Sequence, residues 1–109
     1  MNIEIYRGVD SFEIMNNDTD EYFVMNYRQI IKSAIRCGFA VDYTICNDEV
    51  HVVIEEQLGG YHSYIDGKYH DQGTCRKLVN FKSWLNHGLD NAHYYAIAEN
   101  HILECQKIA

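Results

Sequence analysis

The sequence predicts an α+β fold: a small antiparallel sheet of about four to six strands packed with about three helices, in the order β(β)-α-ββ-ββ-α-α. Three observations lead there. Residues 39–54 alternate apolar and polar about a central Asn47-Asp48. The stretch before them has helical spacing, and two more helical stripes close the chain. A length of 109 residues is one domain's worth of chain, enough to bury a core without staples.

Taken in order, Ile3 and Ile5 alternate with Glu4 and Tyr6, a short strand. Phe12 and Ile14 suggest a second, weaker one after a turn at Gly8 to Ser11. Asn16 to Asp20 forms a turn cluster, and Asp18 with Glu21 three residues on resembles a capping box. A helix is expected from about Asp20 to Cys37, with Phe23, Tyr27, Ile30, Ile31, Ala34 and Ile35 on its apolar face. Gly38 sits where a left-handed C-terminal residue is wanted.

The clearest element follows. A two-residue Asn47-Asp48 loop would pair Cys46 with Glu49, Ile45 with Val50, Tyr43 with Val52 and Val41 with Ile54. Ile45, Val50, Tyr43, Val52, Val41 and Ile54 then share one face. The other carries Cys46/Glu49, Thr44/His51, Asp42/Val53 and Ala40/Glu55. A slip of one residue would invert both faces, so turn and alternation support each other. Asp66-Gly67 predicts a second hairpin that pairs Tyr64 with Tyr69 and His62 with Asp71. It is nearly devoid of aliphatic residues and is expected to stand partly exposed. Thr74 is expected to cap a helix from about Cys75 to His87, with Leu78, Phe81 and Leu85 inward and Trp84 at the border. Asp90 or Asn91 is expected to cap a last helix to about Lys107, with Tyr95, Ala98, Ile102 and Leu103 inward.

Charge is uneven. The net formal charge is −7, and all of it lies in residues 1–60, where eleven acids face four bases. Residues 61–109 balance five against five. An acidic surface repels nucleic acid and anionic lipid and attracts basic proteins. No stretch approaches the roughly 20 apolar residues of a membrane helix. The N-terminus lacks the basic start and apolar core of a signal peptide. A cytoplasmic setting is therefore expected, with Cys37, Cys46, Cys75 and Cys105 as reduced packing residues.

Catalytic signatures are weak. His101 and Cys105 are spaced i, i+4, and His93 precedes His101 by two turns, but no further ligand motif accompanies them. His62 beside Asp71 could form an acid–base couple, although such cross-strand pairs are commonly plain surface contacts. No phosphate-binding loop or nucleophile elbow is present in the sequence. Neither enzymatic activity nor a metal or cofactor is expected.

Protein binding fits better. Nine tyrosines in the chain are many, and tyrosine is enriched at interface hot spots. The expected partner-binding set is Asp42, Asp48, Glu49 and Glu55, which would steer a basic protein, with Tyr61, His62, Tyr64, Tyr69, His70 and Asp71 as anchors. No membrane partner is expected, and direct nucleic-acid binding is disfavoured by the acidic half. In size and charge the chain is similar to small acidic inhibitors: immunity proteins, antitoxins and phage anti-defence proteins. That likeness is one of type, without a motif, and implies an inhibitor of a basic, nucleic-acid-handling target. The alternatives are a nucleic-acid-binding accessory using the tyrosine hairpin with Arg76, Lys77 and Lys82, or a small His/Cys metal-dependent module.

Overall fold

In the computed structural model, residues 1–57, 63–65, 68–70 and 74–108 are described. Their strands are β1 (Ile3–Arg7), β2 (Phe12–Asn16), β3 (Glu21–Met25), β4 (Asp42–Cys46), β5 (Glu49–Gln57), β6 (Ser63–Ile65), β7 (Lys68–His70) and β8 (Thr74–Asn80). The helices are α1 (Tyr27–Cys37), α2 (Phe81–His87) and α3 (Asn91–Ile108). The class is α+β, as expected, but the expected single sheet of four to six strands is replaced by three ladders. These are β1-β2-β3, β4-β5-β8 and the two-stranded β6-β7, all antiparallel.

The first ladder is a meander. Its register sets Ile5 opposite Ile14, Ile14 opposite Phe23, and Phe12 opposite Met25. Phe12, Ile14 and Met25 are fully buried. Residues 21–25 therefore form a strand, not the helix start that the sequence suggests. Phe23 and Met25 alternate with Tyr22 and Val24, and Tyr, Phe and Val favour a pleated surface. The expected Asp18/Glu21 cap does not form. Asp18 Oδ2 instead accepts from the Asn2 backbone N–H at 2.9 Å, and Asp20 is left-handed at φ 58°. Buried Asn16 holds this turn, its Oδ1 accepting from Asp18 N–H at 3.1 Å.

The capping box that starts α1 lies six residues beyond the expected start. Asn26 Oδ1 accepts from Gln29 N–H at 3.0 Å, and Gln29 Oε1 accepts from Asn26 N–H at 2.9 Å. Gly38, at φ 84°, ends the helix as expected, with its N–H on the Ile35 carbonyl and Phe39 N–H on that of Ala34. Ile30, Ile31 and Ala34 are fully buried against the rest of the core. Ser33 Oγ, also buried, lies 2.7 Å from the Ile97 carbonyl oxygen and 2.9 Å from Asn100 Oδ1, tying α1 to α3.

The β4–β5 hairpin has the register its sequence predicts, from Asp42 opposite Val53 to Cys46 opposite Glu49. Asn47 and Asp48 both take positive φ, 51° and 61°, the twist that a two-residue loop needs. Ala40, expected on the outer face with Glu55, is buried and precedes the strand.

Residues 74–80 are a strand, not the first half of a helix. Leu78, Phe81 and Leu85 fit helical spacing and residues 74–80 show no clean apolar alternation; a seven-pair ladder with β5 makes them a strand. Val79 lies opposite fully buried Val52, while Leu78, expected inward, is 54% exposed. Asn80, not Thr74, caps the short α2, its Oδ1 accepting from Lys82 N–H at 3.1 Å and Ser83 N–H at 3.3 Å. Trp84 is buried with Phe81 and Leu85. Asp90 starts α3, accepting from His93 N–H at 3.0 Å. The inward stripe of α3 is Tyr94, Ile97, Ala98 and Ile102, whereas Tyr95 and Leu103, expected inward, are exposed. Tyr94 explains the rotation: its hydroxyl donates to the Leu85 carbonyl and accepts from Arg7 Nη1 at 2.7 Å, while its ring meets Phe12 edge-on.

The two caps that the sequence placed elsewhere give a direct check. Asn26→Ala and Asn80→Ala are each expected to cost about 1 kcal/mol in chemical denaturation. Wild-type stability in both would mean that neither side chain holds its helix start.

Candidate functional site

Strand pairing settles which side chains share a face. In β5, Val50, Val52 and Ile54 pack against or join the core, so Glu49, His51, Val53 and Glu55 point the opposite way. Direct partners in an antiparallel ladder point to the same side. The outward face therefore carries Thr44, Asp42 and Cys46 from β4 and Arg76 and Leu78 from β8. Asp42, Glu49 and Glu55 stand on one surface, and all three are exposed. Val53 lies between Asp42 and Leu78 as their register partner, so the row is apolar on β5 and β8 and acidic on β4.

This face is less negative than the sequence suggests. Because residues 74–80 form a strand, Arg76 lies directly opposite Glu55. Glu49 Oε2 is 3.9 Å from His51 Nε2, and Asp42 Oδ1 accepts from the Tyr43 N–H at 2.8 Å. Asp48 sits at the tip of the hairpin turn. It joins Glu49 and Asp10, from the β1–β2 connection, around a hollow of about 250 Å³ also lined by Tyr27 and Lys82. Sequence distance hid the meeting of Asp10 with Asp48; no local pattern signals it.

The remaining anchors lie on or beside the second hairpin. Tyr64 is paired with Tyr69 and Ser63 with His70, the register that Asp66-Gly67 predicts. The side chains of Tyr64, Tyr69 and His70, the residues Tyr61, His62 and Asp71, and with them the His62–Asp71 couple, lie outside the described residues. The hairpin is inserted between β5 and β8 at the Gln57–Thr74 end of their ladder.

The helical histidines separate. His93 meets Phe39 edge-on, with ring centroids 4.5 Å apart, and holds Asp90 at 2.7 Å. His101 packs edge-on to Phe23, and its Nε2 lies 3.7 Å from Cys105 Sγ, as i, i+4 spacing requires. The pair lines a groove of about 250 Å³ between α1 and α3 with Lys32, Arg36 and Glu104. Among the described residues no group of three or more His, Cys, Asp or Glu is placed to hold a metal ion. Burial pushes the His101 imidazole below its ordinary value and the Cys37 thiol above its own.

Sequence reasoning missed one surface, the outward face of β1-β2-β3. Glu4, Met15 and Tyr22 form one cross-strand row, and Tyr6, Glu13 and Val24 the next. The Tyr6 hydroxyl donates to Glu4 Oε2 at 2.6 Å, and Asn17 Nδ2 donates to Glu4 Oε1 at 3.3 Å. These two bonds hold the Glu4 carboxyl below the usual carboxylate range. A hydrogen bond to Glu13 raises the Tyr22 phenol. The Glu4–Tyr6 alternation was visible, but β3 was hidden inside an expected helix.

No helix among the described residues is long and apolar enough to cross a membrane. Comparison of the chain with protein-family models, curated proteins and solved structures finds no match.

His101 gives the site's pH prediction. Its folded pKa is depressed, so below its ordinary value of about 6.5 the unfolded chain takes up the proton first. Its contribution to stability is full above that value and is lost as pH falls toward the lower folded pKa. Melting temperature should drop more steeply between about pH 7 and 5 in the parent than in His101→Gln. Equal slopes would show that His101 is freely hydrated.

Proposed function

We propose that the chain is a protein-binding inhibitor of a basic, nucleic-acid-handling target, working in the manner of immunity proteins, antitoxins or phage anti-defence proteins. The observation that carries the reading is the outward face of β4-β5-β8. There Asp42 and Glu55 neighbour a pair made by Val53 and exposed Leu78, with Glu49 farther along the same face. Carboxylates at a rim raise the rate at which a basic partner arrives, and an apolar centre that loses water holds it. The β6–β7 hairpin, in this reading, adds Tyr64 and Tyr69 as anchors to the same contact. By occupying the basic surface that would otherwise hold phosphates, such a contact would block nucleic-acid binding by the target.

The nucleic-acid-accessory alternative weakens on one register pair and one ion pair. Arg76 lies opposite Glu55, and Lys77 Nζ is 3.6 Å from Glu56 Oε2, so two of its three expected cations stand next to acids. The His/Cys module keeps one favourable observation, the 3.7 Å approach of His101 to Cys105 beside Lys32 and Arg36. A stoichiometric metal in the purified protein would support that module over the inhibitor.

The test uses affinity capture followed by mass spectrometry. The parent should retain a basic protein in a salt-sensitive manner. Asp42→Lys, Glu49→Lys and Glu55→Lys combined should lose it while circular dichroism stays unchanged. Equal retention by the triple variant would reduce the acidic face to a solvated surface. Separately, Tyr64→Ala with Tyr69→Ala should weaken capture with little change in melting temperature. A large fall in melting temperature would instead make these tyrosines part of the core.

A further inference from the structure

We propose that the outward face of β1-β2-β3 is a separate docking surface, and that its occupant is an arginine-bearing basic segment of a protein. The inference is independent of the role given above to β4-β5-β8 and holds whether or not that face binds a partner.

The surface is a checkerboard of acid and aromatic groups. Neighbouring strands lie about 4.8 Å apart, and alternate residues along a strand about 6.8 Å apart. Glu4 and Glu13 therefore occupy one diagonal of the two rows, with Tyr6 next to both and Tyr22 beside Glu13's strand. Val24 and Met15 complete the face. Tyr6, Tyr22 and Val24 are each more than half exposed, although they are large and partly or wholly apolar. Such side chains gathered on one sheet face, and not scattered singly, mark an interaction surface.

Charge selects the occupant. The six outward residues carry two carboxylates and no base. The nearest cation in sequence, Arg7, is committed to Tyr94, with its guanidinium 4.5 Å from the ring centroid and Nη1 2.7 Å from the hydroxyl. A second copy docked face to face would set glutamates against glutamates. Nucleic acid and anionic lipid are repelled for the same reason. A guanidinium meets every requirement: it stacks on a tyrosine ring and forks onto a carboxylate at once. The hydroxyl of Tyr6 already orients Glu4 Oε2, so the acceptor is held in place before the partner arrives. Arg7 on Tyr94 displays the same pairing of a guanidinium with a tyrosine inside this chain.

The experiment is a titration of the isotope-labelled chain with hexa-arginine peptide, followed by nuclear magnetic resonance. Hexa-lysine and hexa-glutamate serve as controls. Saturable shifts are expected at Tyr6, Glu13, Met15, Tyr22 and Val24, with hexa-arginine binding several-fold tighter than hexa-lysine and hexa-glutamate not binding. Glu4→Gln with Glu13→Gln should weaken hexa-arginine by about tenfold or more, the scale of a lost charge-assisted contact. The mapping on the parent chain needs no substitution, so the result stands even if a variant folds poorly. Shifts confined to β4-β5-β8, equal affinity for arginine and lysine, or an unaffected double variant would overturn the proposal. So would sedimentation showing a dimer that Val24→Lys dissociates, because the occupant would then be a second copy.

Discussion

Two small three-stranded sheets must each bury one side against the same three helices. The other features of the molecule follow from that constraint. Phe12, Ile14 and Met25 from one sheet and Val52 from the other join Ile30, Ile31, Leu85, Ile97 and Ile102 in one contiguous core cluster. Once the inner side of each strand is fixed, its period of two fixes the outer side as well. The exposed acids are thus consequences of core packing: Glu4 and Glu13 are outward because Ile3, Ile5, Phe12 and Ile14 are inward.

That argument also marks what the sequence could and could not reveal. The register of the β4–β5 hairpin was legible, since turn chemistry and alternation agreed, but its ends were not: Ala40, expected outward, is buried, and Ile45, expected inward, is 51% exposed. The β6–β7 pairing was legible from the turn chemistry of Asp66-Gly67 alone. Residues 21–25 and 74–80 were misread because both run into helices with which they share an apolar spacing. Phe23 precedes Tyr27 by four residues and Leu78 precedes Phe81 by three, so each strand resembles an extra turn of helix. What decides for strand is a partner distant in sequence, β2 in one case and β5 in the other, and propensity carries no record of it. The true caps, Asn26 and Asn80, were present to be read, but the expected helices had already passed through them.

Those two errors changed the picture of the surface more than that of the core. Moving 74–80 into the sheet brought Arg76 opposite Glu55 and exposed Leu78 beside Val53. The candidate face is therefore a mixed surface with an apolar pair and an acidic excess, closer to an ordinary protein interface than to a uniformly negative patch. Moving 21–25 into the other sheet exposed Tyr22 and Val24 beside Glu4 and Glu13. Five of the eleven acids in residues 1–60 thus fall on two separate β-faces, Glu4 and Glu13 on one and Asp42, Glu49 and Glu55 on the other, each face carrying its own apolar or aromatic groups.

The claim that the β4-β5-β8 face is where a partner sits is tested most directly by hydroxyl-radical footprinting of the chain alone and with its captured partner. The account predicts that Leu78, 54% exposed in the free chain, loses reactivity on binding together with Val53, while Tyr95 and Leu103 on α3 keep theirs. Protection of the α3 residues with Leu78 unchanged would contradict it.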